Sequence, residues 1–391
     1  MINVDFHLHS KYSSATSRSM GFREMGDGAR KKGIDLLGTG DCLQKKWLEE
    51  IKGMDENMGI YHQGGMNFVL TTEVEDSRRV HHLLLFPSIE AVEQFRGEMG
   101  SFSVNMDLEG RPRLGCGGER IAEAAERCCA LIGPAHAFTP WTAIYAYFDS
   151  LKDCYGGMMD YISFLELGLS ADSDYADRIS ELSGLTFLTN SDAHSPTPQR
   201  IAREFNRIEV NNLSFTSVSD AILRRNGNSF VLNVGLPPEE GKYNESACIK
   251  CLKHYPLEAC CERKWRCDCG GIIKRGVLDR VSELSDYGEP HHPGYRPPYL
   301  HLIPLMEIIL KVVNDRKSAF SEWGRLVERF GSEIGVLVDA DMRTIRETTA
   351  DRVADAVLSF REGRIVVHPG GGGVYGNVEI PGRKQRNLLE Y

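Results

Sequence analysis

Residues 2–9 alternate apolar Ile2, Val4, Phe6 and Leu8 with polar Asn3, Asp5, His7 and His9. A period of two reads as a β-strand and sends Asp5, His7 and His9 to one face. Two imidazoles on one strand face can grip a single metal ion, although surface or hydrogen-bonded histidines also account for an isolated pair. Downstream the donors recur as Asp41, Glu73, the adjacent His81 and His82, His136, Asp192 and His194. On a strand His81 and His82 face opposite ways, so only one of them joins the others. His136 read alone fits a core histidine, and Asp192 a helix cap; the joint pattern carries the weight.

Imidazole and carboxylate donors suit zinc, manganese or iron, and several carboxylates favour more than one ion. A carboxylate such as Glu73 can bridge two. Paired cations clamp the attacking and leaving oxygens of a phosphoryl displacement, and water bound to them ionises near pH ~7 instead of ~16. The chemistry to expect is hydrolysis, most naturally of a phosphate ester.

The elements that must position these groups alternate in type over residues 1–235. After the first strand, Phe22–Lys32 reads as a helix stopped by Gly33. Strands are expected at 35–38, 68–75, 80–86, 131–136, 162–167 and 185–189, the second and third forming a hairpin. Helices are expected at 119–130, at 172–183 with Asp172 as cap, and at 218–224. Repeated strand-then-helix units argue for an α/β barrel or a doubly wound sheet. In such folds catalytic groups gather at the C-terminal strand ends, which places the candidate donors on one rim.

A linker is expected at 236–245, a cysteine module at 246–276 and a mainly helical region at 277–391. Six of eleven cysteines crowd into 248–269, while Cys42, Cys116, Cys128, Cys129 and Cys154 are scattered like free buried thiols. Cys248-x-x-Cys251 and Cys267-x-Cys269 frame a zinc-ribbon-like unit with tetrahedral thiolates, Cys260 and Cys261 standing as substitutes. This usage points to a cytosolic protein with a cysteine–metal module, not a disulfide scaffold. No apolar run approaches the ~18 residues of a membrane span, and the N-terminus lacks a signal pattern. A net charge of −9 excludes a globally basic nucleic-acid binder. Locally the balance reverses: eight Lys or Arg face four acids over 241–276, among them Lys250, Lys253, Arg263, Lys264 and Arg266. Such a patch suits phosphate-backbone contact, or is a solvated face.

The motifs Asp5 to Ser10, Gly38-Thr39-Gly40-Asp41, Thr72-Glu73-Val74, Pro134-Ala135-His136 and Ser191 to His194 resemble those of the PHP superfamily of metal-dependent phosphoesterases. The resemblance selects His82, since Leu83-Leu84-Leu85 follows it as in that family. It implies a distorted (β/α)7 barrel with two to three divalent ions (zinc, manganese, magnesium or iron). It places His7, His9, Glu73 and Asp192 around the first, Glu73, His82 and His136 around the second, and Asp41 and His194 at a third. Two departures stand out. Asp41 occupies a position where histidine is usual, and residues 11–19 lack the histidine that often follows the first motif.

Longer strings narrow the match. Residues 133–142 (GPAHAFTPWT), 165–174 (LELGLSADSD), 189–196 (TNSDAHSP), 231–236 (VLNVGL), 296–301 (RPPYLH) and 369–373 (PGGGG) look like the endonuclease Q family. That similarity spans nearly the whole chain. It implies a prokaryotic, cytoplasmic DNA repair enzyme that cuts on the 5′ side of a deaminated base (uracil, hypoxanthine, xanthine) or an abasic site, with Asp192, Glu73 and His9 catalytic. It also implies one structural zinc on Cys248, Cys251, Cys267 and Cys269, and damaged DNA as partner. Trp141, Tyr145 and Tyr147 then become candidates for the DNA groove, unless they simply pack. Gln385, Leu388 and Tyr391 resemble a peptide that docks on the sliding clamp, or a frayed polar tail. The alternative is a PHP phosphatase acting on a small phosphomonoester, which would need neither the cysteine module nor the long C-terminal region.

Overall fold

The computed structural model describes residues 1–381; Gln385, Leu388 and Tyr391 lie outside the described residues. Strand β1 (Ile2–Asp5) pairs in parallel with β2 (Leu36–Gly38). Between them runs helix α1 (Phe22–Lys32), which buries Phe22, Met25 and Ala29 at helical spacing. Gly33 closes it in the left-handed region (φ 95°), its N–H reaching Ala29 O and Arg30 O. Helix α2 (Lys45–Lys52) leads to a hairpin absent from the sequence expectations, β3 (Asp55–Asn57) and β4 (Ile60–Gln63). β4 runs antiparallel to β5 (Met66–Glu75), which also pairs in parallel with β2.

The expected hairpin forms between β5 and β6 (His81–Phe86), with Glu75 opposite His81, Val74 opposite His82 and Glu73 opposite Leu83. After α3 (Ile89–Met99) and α4 (Gly118–Arg127), β7 (Leu131–Pro134) continues antiparallel to β6. Helix α5 (Leu151–Tyr155) precedes β8 (Phe164–Glu166), which pairs in parallel with β9 (Thr186–Leu188).

Backbone bonds close the ring. Ser163 N–H donates to Ile132 O (3.3 Å) and Ala137 N–H to Glu166 O (2.8 Å), joining β7 to β8. His9 N–H donates to Ala193 O (3.0 Å) beside a parallel Leu8–Ala193 bridge, joining the end of β9 to that of β1. Seven strands, β1, β2, β5, β6, β7, β8 and β9, thus form a distorted barrel. Its rim collects the C-terminal ends of six strands. It also collects the N-terminal end of β6, because that strand runs the other way.

Two antiparallel strands, β10 (Phe205–Glu209) and β11 (Ser229–Gly235), extend the sheet beside β1. The helix expected at 172–183 is a single turn, Ser173–Ala176, capped by Asp172 as anticipated and followed by a 3-10 turn. In the cysteine module β12 (Ala247–Cys248) pairs with β13 (Ile273–Lys274). The region beyond it is mainly helical, with helices at Val277–Leu284, Leu305–Leu310, Arg316–Phe330, Met342–Thr348 and Asp351–Arg361. It also returns a strand, β14 (Tyr299–His301), to the edge of β11. A buried ion pair, Lys32 Nζ to Glu333 Oε1 at 2.6 Å, fastens these helices to α1. Among the described residues no helix is long and apolar enough to cross a membrane.

Candidate metal centre

His7 and His9 stand just beyond β1, and each has one ring nitrogen tied from behind. Glu166, at the end of β8, lies 2.8 Å from His7 Nδ1. Asp41, beyond β2, lies 3.0 Å from His9 Nδ1. A carboxylate on the rear nitrogen is how proteins orient an imidazole toward a metal. The forward atoms converge. Asp192 Oδ1 is 3.7 Å from His7 Nε2 and 3.3 Å from His9 Nε2. Glu73 reaches the same two nitrogens at 3.7 and 3.4 Å.

His7 Nε2, His9 Nε2 and Asp192 Oδ1 are buried without a hydrogen-bond partner among the described residues. Buried polar atoms are nearly always satisfied. Three orphans aimed at one point, from donors of the type zinc or manganese takes, fit a divalent cation.

A second group shares Glu73. His81 Nδ1 lies 2.7 Å and His136 Nε2 2.9 Å from Glu73 Oε1, with the two imidazoles 3.2 Å apart. The sequence expectation of His82 is corrected here. Opposed residues of an antiparallel pair share a face, so the register that sets Glu75 against His81 puts His81 on the side of Glu73. His82 falls on the side of Val74 and faces away.

The expected third set is not assembled as a group. Both oxygens of Asp41 are engaged, Oδ1 by His9 and Oδ2 by Ser10 and Ser13, so the residue backs His9. His194 lies with its ring centroid 4.6 Å from that of His9 and its Nδ1 2.9 Å from the Asp192 carbonyl.

Electrostatics follow from the crowding. Burial would raise the Glu73 carboxyl, but the facing His81 and His7 outweigh it and hold it well below the usual range. Burial acts the same way on Asp192 and is outweighed by His9 and His7, so its carboxyl is lowered. Burial opposes charge on His7 and His9, yet Glu166 and Glu73 raise the first and Asp41 raises the second. Asp41, His136 and Asp192 all take positive φ (49°, 32° and 46°). Such backbone costs about 1–3 kcal/mol per residue and is kept where the site demands it.

The sequence reading missed Glu166, which also accepts from the His136 N–H and from Asn190. A carboxylate inside the apolar run 162–167 was the available signal, since buried acids need partners. It missed Arg111, whose Nη1 lies 3.0 Å from Glu73 Oε2, and Glu75, 3.2 Å behind His81 Nε2. No local pattern marked Arg111, which arrives from a loop.

The whole chain superposes on the crystal structure of PfuEndoQ, a lesion-specific endonuclease from Pyrococcus furiosus. The TM-score is 0.94 and the identity 44%, covering 100% of this chain and 99% of that one. The chain belongs to the endonuclease Q family. Another endonuclease Q structure, a complex with a 27-mer duplex substrate carrying an abasic lesion at the active site, matches at TM-score 0.92 and 44% identity over 100% and 99% of the two chains. Residues 304–364 match the family described as the MJ0043 C-terminal domain. The MJ0043 protein of Methanocaldococcus jannaschii is 45% identical over 258 residues, 64% of this chain. The chain spans about a third (32%) of the length of that relative.

In this chain the four cysteine sulfurs meet. Cys248 Sγ lies 3.6 Å from Cys269 Sγ and Cys251 Sγ 3.5 Å from Cys267 Sγ, all four within 4.8 Å of one another. The short C-x-C pair therefore reaches the same point as the C-x-x-C pair, and the cluster fits a zinc module. Cys260 is buried near Tyr255 O and Cys261 is exposed, both outside the cluster.

Of the groove candidates, Trp141 is half exposed, with Lys274 Nζ 3.2 Å from its ring centroid, and Tyr147 is exposed. Tyr145 is corrected: it is buried, its hydroxyl donates to Glu181 (2.8 Å) and its ring stacks on Phe138. Lys250, Lys253, Arg263, Lys264 and Arg266 are exposed on the module, Arg263 and Lys253 being paired with Asp268.

Proposed function

We propose that this chain is a metal-dependent DNA repair endonuclease that hydrolyses the phosphodiester on the 5′ side of a deaminated base (uracil, hypoxanthine or xanthine) or of an abasic site. The observation that carries the reading is the pair of donor groups joined through Glu73 on the barrel rim. Cations held by His7, His9, Glu73 and Asp192, and by Glu73, His81 and His136, would acidify a water and offset the charge that builds on a phosphodiester.

The chain's own groups do the rest. Glu166 and Asp41 fix the direction of the two N-terminal imidazoles. Arg111, a third exposed, adds positive charge beside Glu73 for an anionic substrate. His194, also a third exposed, has its imidazole pushed below the ordinary value by burial and by His9. Both effects favour its neutral form, which can take a proton at the rim. A damaged base must leave the stack to be inspected, which costs a few kcal/mol and least where pairing is already lost. The exposed Trp141 ring and the basic face of the cysteine module suit base stacking and backbone contact respectively. The abasic-lesion duplex bound by a related endonuclease Q supports a substrate of this class.

The test is end-labelled duplex DNA bearing one uracil, hypoxanthine or abasic residue, incubated with the protein and Mn²⁺, Mg²⁺ or Zn²⁺. A nick on the 5′ side that depends on the lesion is expected. No such nick, together with turnover of p-nitrophenyl phosphate, would instead make the chain a phosphomonoesterase.

A further inference from the structure

His82, turned away from the metal centre, meets a different set of partners. Its Nδ1 lies 2.7 Å from the Tyr155 hydroxyl, which leaves Nε2 as the forward atom. Asp76, in the turn between β5 and β6, accepts the N–H groups of Arg78 (2.7 Å) and Val80 (2.8 Å) on Oδ1, which leaves Oδ2. His82 Nε2 and Asp76 Oδ2 are 3.6 Å apart, buried, and without a hydrogen-bond partner among the described residues. Cys154 Sγ, from α5, completes a group whose donor atoms all lie within 4.8 Å of one another, each on a buried side chain.

A separation of 3.6 Å is too long for a hydrogen bond. It is close to the edge, roughly 3.4 Å, of a tetrahedron of ligands held about 2.1 Å from a common centre. The rear atoms of both side chains are already bonded, the arrangement that orients metal ligands. The cover is tight as well. A Cβ on Gly118, the first residue of α4, would lie 2.7 Å from Cys154 Sγ and 3.1 Å from His82 Cε1, so only glycine lets the helix close over the group.

We propose that Asp76, His82 and Cys154 form a buried site for one transition-metal cation, separate from the rim and from the four-cysteine cluster. One thiolate, one imidazole and one carboxylate suit zinc and not magnesium or calcium. Binding releases the Cys154 thiol proton to solvent. The three donors come from the β5–β6 turn, from β6 and from α5, so the ion ties α5 to the barrel hairpin that carries Glu73, Glu75 and His81. Its role is structural and does not depend on the nuclease reading.

Zinc per chain, measured by inductively coupled plasma mass spectrometry after gel filtration, tests the site on the full-length protein. Asp76→Asn keeps a carbonyl for Arg78 and Val80 and loses the charged ligand, so the turn is preserved. This variant and Cys154→Ala are each expected to hold one zinc fewer than the wild type. A folded variant, judged by circular dichroism, with wild-type zinc content would overturn the proposal. The wild type supplies a second readout that needs no variant. Cys154 should resist alkylation, read by peptide mass spectrometry, until a chelator is added; equal labelling with and without chelator overturns the site.

Discussion

Glu166 Oε2 sits 2.8 Å from His7 Nδ1 and the same distance from the His136 backbone nitrogen, so one carboxylate orients a donor in each half of the metal centre. Glu166→Gln keeps the size and removes the charge. Losing such a partner typically costs 10–100-fold in metal affinity. Isothermal titration with Mn²⁺ should show about that loss, with melting temperature nearly unchanged.

His81 and His82 separate by function as they do by face. His81→Asn removes a donor 2.7 Å from Glu73 and should lower lesion-dependent nicking by about 10² or more, the scale expected when charge stabilisation at a reacting group is lost. A gel assay on uracil-containing DNA measures it. Nicking retained within a few-fold would return the second group to another residue.

Asp192 Oδ1 faces the forward nitrogens of both N-terminal imidazoles, 3.7 Å from His7 Nε2 and 3.3 Å from His9 Nε2. Asp192→Ala should abolish cleavage while leaving DNA binding, measured by mobility shift, close to that of the wild type. A nicking-competent variant would remove Asp192 from the centre.

Glu204 gives the pH dependence of stability a defined sign. Buried, and accepting the Leu236 N–H at 2.8 Å, its carboxyl is pushed up from 4.5 to about 8 by desolvation. In the unfolded chain the group ionises near its ordinary value, so between about pH 4.5 and pH 8 the folded state binds the extra proton and rising pH favours unfolding. Glu204→Gln removes that slope. Relative to wild type, the variant should gain on the order of a few kcal/mol in urea unfolding between pH 5 and pH 8.5.

Lys32 and Glu333 form a fully buried pair, and Glu333 also accepts from the Leu305 N–H and the Trp323 indole, both at 2.8 Å. Removing one member strands the other charge, which costs about 3–5 kcal/mol. Glu333→Ala should show that loss in denaturant unfolding, with the helices of residues 305–361 losing protection in hydrogen exchange first.

What the sequence determined by itself is the chemistry and its rough placement. Period-two alternation delivered His7 and His9 to one face, and strand ends carried Asp41, Glu73, His136 and Asp192 to one rim, because side-chain direction and strand termination are local properties. The cysteine spacing was similarly local, and all four predicted sulfurs converge. The tertiary structure decided everything that depends on register and on distant partners. Which of two neighbouring histidines meets Glu73 is set by how β5 pairs with β6. Whether Asp41 points forward or backs His9 is set by Ser10 and Ser13 closing around it. Glu166 was marked in the sequence only as an acid within an apolar run, and its partners, like Arg111 and the Asp76–His82–Cys154 group, became legible once strands and helices far apart in the chain were brought within bonding distance.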